Sequence, residues 1–516
     1  MQVWIKYNSE QIMTNTRYDR FDRSDIVLHS GRNMLSSCQL CIRNEADFTV
    51  NNLEVNGDLP DGISFNYNFC DTVTYNDGVP YPDIISAERE KKVLSHTTCI
   101  IILSFYVDPT ARLGKFLLPI LVKTSVGDFS ANVSIVVHKA TLPEPAESDI
   151  GHEYFFTARG LFPTNASLAK KADDVIRYSQ KWEDLMINYA KAMKFLRVNS
   201  LWMPGVEFLA DAGSKRVAKD TWEFNFSIFD RILDLFLSNG SFRYVTVSAA
   251  IASVDGNTIQ GIDEESGLCH YDLPGEDGEL WAEAYYTAVY NHFKERNLLH
   301  MLRMHLQDEP HKTTHWKWAR EICRRVMPDI VCGEPLDTHA ISKELQSYVD
   351  WYIPRLEVYQ EDPAFYHNQV KNGCELWVYS CCFPEDHWWL NKFIDLPHVY
   401  SRLIKYACFS QNITGFLHWG FNFYTSDMYG LKTTARFKGD GHIIYPDDKN
   451  NDVLMSVRGL ETKAGLQDWE LLNMLKNINP KAAYDISKSV AQSFDLFSHD
   501  TVAPERAREK ILDMLD

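Results

Sequence analysis

The chain contains 516 residues and carries a formal charge of -18, from 70 acidic and 52 basic side chains. An acidic balance of this size argues against a surface for nucleic acid or anionic lipid, because both need clustered Lys and Arg. At about 150 residues per domain the length predicts two to four domains. The hydrophobic content of 45% and the charged content of 24% are typical of a soluble globular protein.

Residues 1–10 lack the basic region and apolar core of a secretory signal. As written, the chain is expected to be cytoplasmic, and to be secreted only if a leader has been trimmed away. No apolar run reaches the roughly 20 residues of a membrane helix, so no membrane partner is expected. The eleven cysteines are scattered and odd in number, which predicts reduced thiols. Cys38 and Cys41 lack a second pair at zinc-finger spacing, and we expect neither a metal nor another cofactor.

The amino-terminal part of the chain has the pattern of an all-β domain. Short β-like segments alternate with clusters of Gly, Asn, Asp and Pro, and no helical periodicity is convincing. This pattern predicts a β-sandwich over residues 1–140. The predicted strands are residues 3–7, 26–29, 35–42, 63–67, 98–106, 116–122 and 131–138. Residues 141–149, rich in Pro and acidic side chains, then form a predicted linker.

After the linker, strand-like runs alternate with amphipathic helical patterns. One such helix repeats Trp281, Tyr285, Val289 and Phe293 at helical spacing. Eight strands, each followed by a helix, predict an α/β fold with a (β/α)8 TIM barrel over residues 150–480. Residues 481–516 form a predicted helical extension, with an amphipathic helix over 503–515. The predicted barrel strands are residues 154–157, 195–203, 243–249, 300–307, 329–332, 349–353, 375–381 and 415–420.

Two adjacent carboxylates, Asp308 and Glu309, follow the predicted fourth barrel strand and precede a proline. An isolated Asp-Glu-Pro is usually an exposed turn. Active sites of such barrels, however, lie in the loops at the carboxyl ends of the strands. Successive strand residues point to opposite sides, so the two carboxylates are expected to differ in surroundings and in pKa. We therefore predict that Asp308 and Glu309 are catalytic.

Other side chains at or near the predicted strand ends complete a candidate substrate site. Aromatic rings together with carboxylates favour a carbohydrate, since sugar rings stack on indole and phenol faces while their hydroxyls need polar partners. The predicted partner is accordingly a glycan or glycoconjugate. The predicted substrate-binding residues are Trp202, His305, Glu334, Trp377, Tyr379, Trp419 and Asn422.

The predicted seventh strand lacks the nucleophile that a common retaining glycosidase would carry there. Its only acid, Glu375, is at the wrong end. This absence is expected if the 2-acetamido group of the substrate acts as the nucleophile. Glu309 would then be the general acid and base, Asp308 would orient the acetamido group, and Tyr379 could donate to its oxygen.

Three alternatives remain open from the residues alone. A conventional retaining glycosidase could use Glu334 or Glu357 as its nucleophile. A non-catalytic protein could merely hold glycans. A metal-dependent hydrolase is less favoured, because His305 and His311 flank the acids but lack a third ligand at a recognisable spacing.

Several ordered motifs resemble glycoside hydrolase family 123. They are Asp308-Glu309-Pro310 and the stretches 375–384, 393–397, 415–422, 456–458 and 465–470, together with Arg402. The resemblance covers most of residues 150–480 and extends to the amino-terminal part, where residues 109–114 match. It implies an exo-acting β-N-acetylgalactosaminidase that uses substrate-assisted catalysis. By this resemblance Asp308 is the stabiliser of the intermediate and Glu309 the acid and base.

Overall fold

The computed structural model describes residues 1–75, 77–156, 177–248, 250–251, 256–423, 437–447 and 449–516. Two predicted strand ends, Thr157 and Ala249, lie outside the described residues. None of the eleven cysteines, all of which are described, forms a disulfide, as the sequence predicts. None of the helices within the described ranges is both long and apolar enough to cross a bilayer.

The amino-terminal part consists of two five-stranded sheets that share one hydrophobic core. The pairing is antiparallel except where β2 and β10 run parallel. All seven predicted strands are present, and three that were not predicted are added, β4, β6 and β7. The strands are Gln2–Tyr7 (β1), Asp25–Arg32 (β2), Met34–Arg43 (β3), Phe48–Val55 (β4), Ile63–Thr74 (β5), Pro80–Ile85 (β6), Lys91–Val93 (β7), Thr98–Val107 (β8), Gly114–Thr124 (β9) and Gly127–Thr141 (β10).

The second part of the chain is mixed α/β and is built on a nearly closed parallel barrel. Its sheet contains nine strand segments, of which two are separated by Trp377 alone and pair with neighbours on opposite sides. The segments are Gly151–Tyr154 (β11), Ser200–Met203 (β12), Tyr244–Val247 (β15), Leu302–Met304 (β18), Val331–Leu336 (β19), Trp351–Pro354 (β20), Glu375–Leu376 (β21), Val378–Ser380 (β22) and Gly415–His418 (β23). Counting β21 and β22 as one broken strand, the eight predicted strands are all found within the described residues.

Three short β-hairpins lie in the loops that follow barrel strands. They are Lys215–Ala218 (β13) with Thr221–Glu223 (β14), Thr258–Ile262 (β16) with Leu268–Asp272 (β17), and Ile444–Asp447 (β24) with Asp452–Met455 (β25). The first hairpin follows β12 and the helix Gly205–Asp211, the second lies between β15 and the helix Glu276–Glu295, and the third precedes the long helix Val457–Ile478. They enlarge the loops at the carboxyl ends of these strands.

Helices follow the barrel strands and cover the outside of the sheet. Among the described residues they are Gln180–Phe195 (α1), Gly205–Asp211 (α2), Ser227–Asn239 (α3), Glu276–Glu295 (α4), Thr313–Val326 (α5), His339–Glu344 (α6), Leu356–Glu361 (α7), Pro363–Lys371 (α8), Tyr400–Ser410 (α9), Val457–Ile478 (α10), Pro480–Val490 (α11) and Ala503–Leu515 (α12). Short 3-10 turns form at Pro145–Glu147 and Leu299–Met301. The predicted helix over residues 503–515 is confirmed.

The fourth barrel strand is shorter than predicted. The apolar run 298–306 predicted one strand over residues 300–307, but its first part forms a 3-10 turn and only Leu302–Met304 is a strand. Apolar periodicity cannot separate these two conformations in so short a run. Asp308 and Glu309 therefore lie in a bend beyond the strand end rather than on the strand itself.

The β-rich part packs firmly on the barrel and on the last helix. Arg458, in the first turn of α10, is buried and donates from Nε to Asp83 Oδ2 of β6 over 3.0 Å. Asn8 Nδ2 donates to Glu461 Oε1 of the same helix over 3.0 Å. Helix α12 packs on β2 and β10. The buried Arg458–Asp83 ion pair holds the β-rich part in a fixed position on the barrel, because separating the two would leave a buried charge without its partner.

Candidate functional site

The acid pair lies at the carboxyl end of the fourth barrel strand. Both side chains are only partly exposed, so the pair is not an ordinary solvated turn. Glu309 has φ 44°, in the left-handed region that L side chains rarely adopt. The Tyr379 hydroxyl of the seventh strand donates to Glu309 Oε1 over 2.5 Å. The left-handed backbone of Glu309 thus directs its side chain across the barrel mouth, at a cost of about 1 kcal/mol in backbone strain.

This backbone geometry corrects the reason given for the different surroundings of the two acids. Strand alternation does not apply in a bend, and the left-handed conformation of Glu309 separates the two side chains instead. Burial, together with the neighbouring carboxylates of Glu309 and Glu334, raises the pKa of the Asp308 carboxyl to about 7. The positive charge of His305 lowers the pKa of Asp308. Asp308 is therefore close to half protonated at neutral pH.

His305 lies in the barrel interior below the acid pair. Its Nδ1 donates to the Gly333 carbonyl oxygen over 2.7 Å, and its Nε2 lies 3.3 Å from Glu153 Oε1. Burial disfavours its charge, but hydrogen bonds to Glu153 and Glu334 outweigh burial and raise the pKa of His305 to about 10. With a side chain 2% exposed, His305 is a buried cation that can act on Asp308 rather than a residue that touches the sugar.

Glu334 also lies away from the mouth. The sequence predicted that it follows the fifth strand, but that strand runs to Leu336, so Glu334 is inside it and fully buried. Its Oε1 accepts from the backbone N–H groups of Leu306 and Gln307, the latter over 3.0 Å. Glu334 thus fixes the segment that leads into the acid pair.

Asp337 is the acid that follows the fifth strand directly. Its carboxylate contributes to the raised pKa of Asp308, and its Oδ2 lies 3.2 Å from Nε2 of His311. The prediction from sequence chose Glu334 because the fifth strand was expected to end at residue 332 rather than at Leu336.

Trp377 lies at the opposite end of the barrel, which contradicts its predicted place at the mouth. Its indole covers Gly151 and Gly415 so closely that a Cβ on either glycine would overlap the ring. It also lines a cavity of about 380 Å³ at the amino ends of the strands. Glu375 lines the same cavity and pairs with Arg303 over 2.8 Å, so this acid lies at the wrong end of the strand, as predicted.

The remaining aromatic residues of the predicted site lie at strand ends on the side of the acid pair. Trp202, partly exposed at the end of β12, lies 5.3 Å from the Phe155 ring, centroid to centroid. Trp419, partly exposed after β23, donates from Nε1 to Asp440 Oδ2 over 2.8 Å. Asn422 is fully buried and its backbone bridges to His442. The two tryptophans have accessible surface for a sugar ring, whereas Asn422 is a framework residue.

Three residues near the acid pair, Phe155, Arg355 and Asp440, were not predicted. Phe155 lies 5.7 Å from the His305 ring, edge to face. Arg355 directly follows the sixth strand, bridges by its backbone to Tyr379 and pairs with Glu357. Asp440 accepts a hydrogen bond from Nε1 of Trp419. The hydrogen bond to Cys381 lowers the pKa of the Cys382 thiol, and the nearby carboxylates of Asp440 and Glu309 both oppose this. Arg355 could have been found by the strand-end rule that located Asp308. Asp440 could not, because it is far along the chain from the end of the eighth strand at His418.

One family model matches the barrel part of the chain. Residues 208–475 match the family model described as glycoside hydrolase 123, catalytic domain, which is 268 of 516 residues and more than half of the chain. No curated protein matches the sequence.

Solved structures add a likeness in fold. A family 123 glycoside hydrolase from Clostridium perfringens, described in connection with glycolipid glycan hydrolysis, superposes with a TM-score of 0.78 at 13% identity, over 99% of this chain and 97% of that one. At this identity the likeness shows the fold alone. A β-D-glucuronidase from Dictyoglomus thermophilum matches 81% of this chain and 68% of its own at 11% identity, with a TM-score of only 0.34.

Proposed function

The chain belongs to glycoside hydrolase family 123, and from that membership we propose that it removes a terminal β-linked N-acetylgalactosamine by substrate-assisted retaining catalysis. The family predicted from the sequence motifs is correct, and the protein is a glycoside hydrolase. In this proposal residues 1–140 are a β-sandwich domain, 150–480 a catalytic (β/α)8 barrel whose seventh strand is broken at Trp377, and 481–516 a helical extension.

The observation that carries the proposal is the acid pair facing a seventh strand without a carboxylate at its carboxyl end. Tyr379 occupies that end and donates to Glu309. Every residue of this strand lies within the described ranges. Its single acid, Glu375, forms an ion pair with Arg303 at the amino end of the strand. A retaining enzyme needs a nucleophile about 5 Å from its acid. The acetamido carbonyl of the substrate supplies that nucleophile in our proposal.

The two carboxylates considered as alternative nucleophiles are engaged in the framework. Glu334 is fully buried, and its Oε1 already accepts two backbone N–H groups. Glu357 pairs with Arg355. A nucleophile must reach the anomeric carbon, whereas Glu334 is buried below the mouth and Glu357 is held by Arg355. These contacts favour substrate assistance over a covalent glycosyl-enzyme.

In the first step Glu309 protonates the glycosidic oxygen while the acetamido carbonyl oxygen attacks the anomeric carbon. The bond to the aglycone breaks, the aglycone leaves with the proton, and a cyclic oxazolinium remains. In the second step Glu309, now a carboxylate, takes a proton from water as that water attacks the same carbon and reopens the ring. The Tyr379 hydroxyl holds Glu309 in the free enzyme and can turn to the acetamido oxygen.

Asp308 has a different task in this scheme. Its ionised carboxylate accepts the acetamido N–H, which orients the carbonyl and stabilises the positive charge on the ring. Because burial raises the pKa of Asp308 to about 7, this form is scarce in acid. The scheme therefore predicts that kcat/KM falls as the pH drops below about 7. The buried charge of His305 keeps this limit from lying at a higher pH.

The substrate class follows from the aromatic side chains at the mouth and from the relative. Trp202 and Trp419 offer partly exposed rings on the same side as the acid pair, which suits a pyranose ring. The hydrolase from Clostridium perfringens is described with glycolipid glycans. We propose that this chain too acts on the terminal sugar of a glycoconjugate.

Inhibition and trapping test the proposal. A 2-acetamido thiazoline, which mimics the cyclic intermediate, should inhibit hydrolysis of an aryl β-N-acetylgalactosaminide competitively. Glu309→Gln should lose most activity on glycosides with poor leaving groups and less on activated aryl glycosides. A covalent sugar adduct on Glu334, Glu357 or Asp337 would overturn the proposal, and binding of aryl glycosides without turnover would favour a non-catalytic carbohydrate-binding protein.

A further inference from the structure

A pair of histidines lies far from the barrel mouth, where the last helix crosses the β-rich part. His29 on β2 and His138 on β10 belong to neighbouring parallel strands. Nδ1 of His29 is 2.9 Å from Nε2 of His138. The ring centroids are 5.2 Å apart and the ring planes are inclined by 29°. The catalytic proposal makes no use of either histidine.

The outer nitrogen of each ring faces a carboxylate of α12 or of the residue that follows it. His138 Nδ1 is 2.7 Å from Asp516 Oδ2, and the other oxygen of this carboxylate accepts from the Lys139 backbone N–H over 2.8 Å. His29 Nε2 is 3.4 Å from Glu509 Oε1. A carboxylate can only accept, so Nδ1 of His138 carries a proton and donates it to Asp516. This carboxylate-histidine arrangement fixes the tautomer of His138 and leaves a lone pair on its Nε2.

The lone pair on Nε2 of His138 faces Nδ1 of His29. At 2.9 Å the two inner nitrogens form a hydrogen bond in which Nδ1 of His29 is the donor. A metal ion that takes the place of this proton would bind both inner nitrogens, and the proton would move to Nε2 of His29, which lies 3.4 Å from Glu509 Oε1.

A third ligand favours the metal ion. One ligand atom from each of His29, His138 and Asp513 lies within 4.8 Å of the other two, and in the described part of the chain this is the single group of three such residues. The Asp513 side chain is 59% exposed and can turn toward the pair. The hydrogen bond between the rings needs no third ligand, whereas a metal ion does.

We propose that His29, His138 and Asp513 bind a divalent transition-metal ion of the zinc class. Zinc binds imidazole nitrogen at about 2.0–2.1 Å, so tetrahedral geometry separates two such nitrogens by roughly 3.3 Å. The inner nitrogens need to move apart by only a few tenths of an ångström. Two imidazoles and a carboxylate suit zinc, cobalt or nickel, while calcium and magnesium prefer oxygen ligands.

Such an ion would fasten the last helix to the β-rich part. His29 and His138 come from two strands of one sheet and Asp513 from α12, which packs on both strands. An ion that binds only the folded state raises its stability in proportion to the logarithm of its concentration above Kd. The site is therefore structural and lies outside the catalytic barrel.

The experiment uses the full chain, stripped with EDTA and dialysed, with ZnCl2 as the probe. Calorimetric titration should give one zinc ion per chain, and a hundredfold excess over Kd should raise Tm by roughly 2 °C or more. Addition of CoCl2 should produce visible absorption bands. MgCl2 and CaCl2 should have no effect. His29→Asn and Asp513→Asn should each weaken zinc binding at least tenfold.

His270→Asn is the matched control, since His270 is exposed on the β16–β17 hairpin and should leave zinc binding unchanged. The exposure of Asp513 makes misfolding of its variant an unsuitable explanation for lost binding. Absence of zinc binding to the wild type, or binding by His29→Asn and Asp513→Asn as tight as that of the wild type, would overturn the proposal. Stabilisation by acid alone, without any zinc effect, would show that the rings bind a proton rather than a metal ion.

Discussion

Replacing Asp308 with Asn should stabilise the protein while it abolishes activity. Burial and the nearby carboxylates of Glu309 and Glu334 raise the pKa of Asp308 to about 7, against 3.8 for the free side chain. The folded state therefore binds this proton more tightly than the unfolded state does. Because the folded pKa is the higher one, the free energy of unfolding decreases as the pH rises from about 4 to about 7.

The size of the effect follows from the pKa. A rise of about 3 units at 1.36 kcal/mol each gives an upper limit of ~4 kcal/mol for the cost of ionised Asp308. The side chain keeps some contact with solvent, which screens the charge, so we expect roughly half of this. Asn has nearly the same shape and no charge. Asp308→Asn should therefore gain ~2 kcal/mol at pH 8 and almost nothing at pH 3.5, where the Asp308 carboxyl is largely neutral in both the folded and the unfolded state.

Thermal unfolding followed by calorimetry at pH 3.5 and pH 8 measures this difference. The change in Tm caused by Asp308→Asn should be positive at pH 8 and close to zero at pH 3.5, while kcat/KM measured at pH 8 falls at least a hundredfold. Asp329→Asn is the control, because Asp329 is exposed just before the fifth strand and should change Tm at neither pH. Equal destabilisation of Asp308→Asn at both pH values would refute the reasoning, since it would mean that the ionised carboxylate is favourably paired.

Three further substitutions test other parts of the account. Tyr379→Phe removes the hydrogen bond to Glu309 and should lower kcat by about 10-fold to 100-fold with little change in Tm; an unchanged kcat would exclude that role. His305→Gln removes a buried cation whose charge lowers the pKa of Asp308, so the acidic limb of the kcat/KM profile should move to higher pH, and an unmoved limb would contradict the coupling. Trp377→Ala should lower the free energy of unfolding by about 3–5 kcal/mol, because its indole fills the lower barrel, and should leave KM unchanged in the folded fraction; a large rise in KM would return Trp377 to the substrate site.

The order of the strands was predictable, and their ends were not. Eight apolar runs separated by helical patterns indicate a barrel because buried parallel strands are apolar throughout. The same uniformity hides where each strand stops. The fifth strand continues to Leu336, which moves Glu334 from the mouth to the interior, and the fourth stops at Met304, which leaves Asp308 in a bend.

Height along the barrel explains the error at Trp377. Side chains at i and i+2 share a face, so Trp377 and Tyr379 both point into the barrel, but two residues correspond to about 6.6 Å along a strand. Tyr379 therefore reaches Glu309 while Trp377 packs against Gly151 one layer below. A pattern of period two predicts on which face of the sheet a side chain lies, but not its height along the barrel axis.

Contacts between distant parts of the chain left no signal in the sequence. His29 and His138 are 109 residues apart and meet because their strands are neighbours in a parallel pair. Asp440 bonds to Trp419 from 21 residues further along the chain. Neither contact has a characteristic spacing, whereas the adjacent pair Asp308-Glu309 could be found by reading the chain.

The central claim is that the acetamido carbonyl of the substrate acts as the nucleophile. The most direct test compares aryl β-N-acetylgalactosaminides whose acetyl group carries zero, one, two or three fluorine atoms. Fluorine withdraws electrons from the carbonyl oxygen, so log kcat/KM should fall steeply and linearly with each atom added, while binding of the sugar changes little. Rates that stay nearly constant across the series would contradict the claim, because a nucleophile supplied by the protein would not depend on this carbonyl.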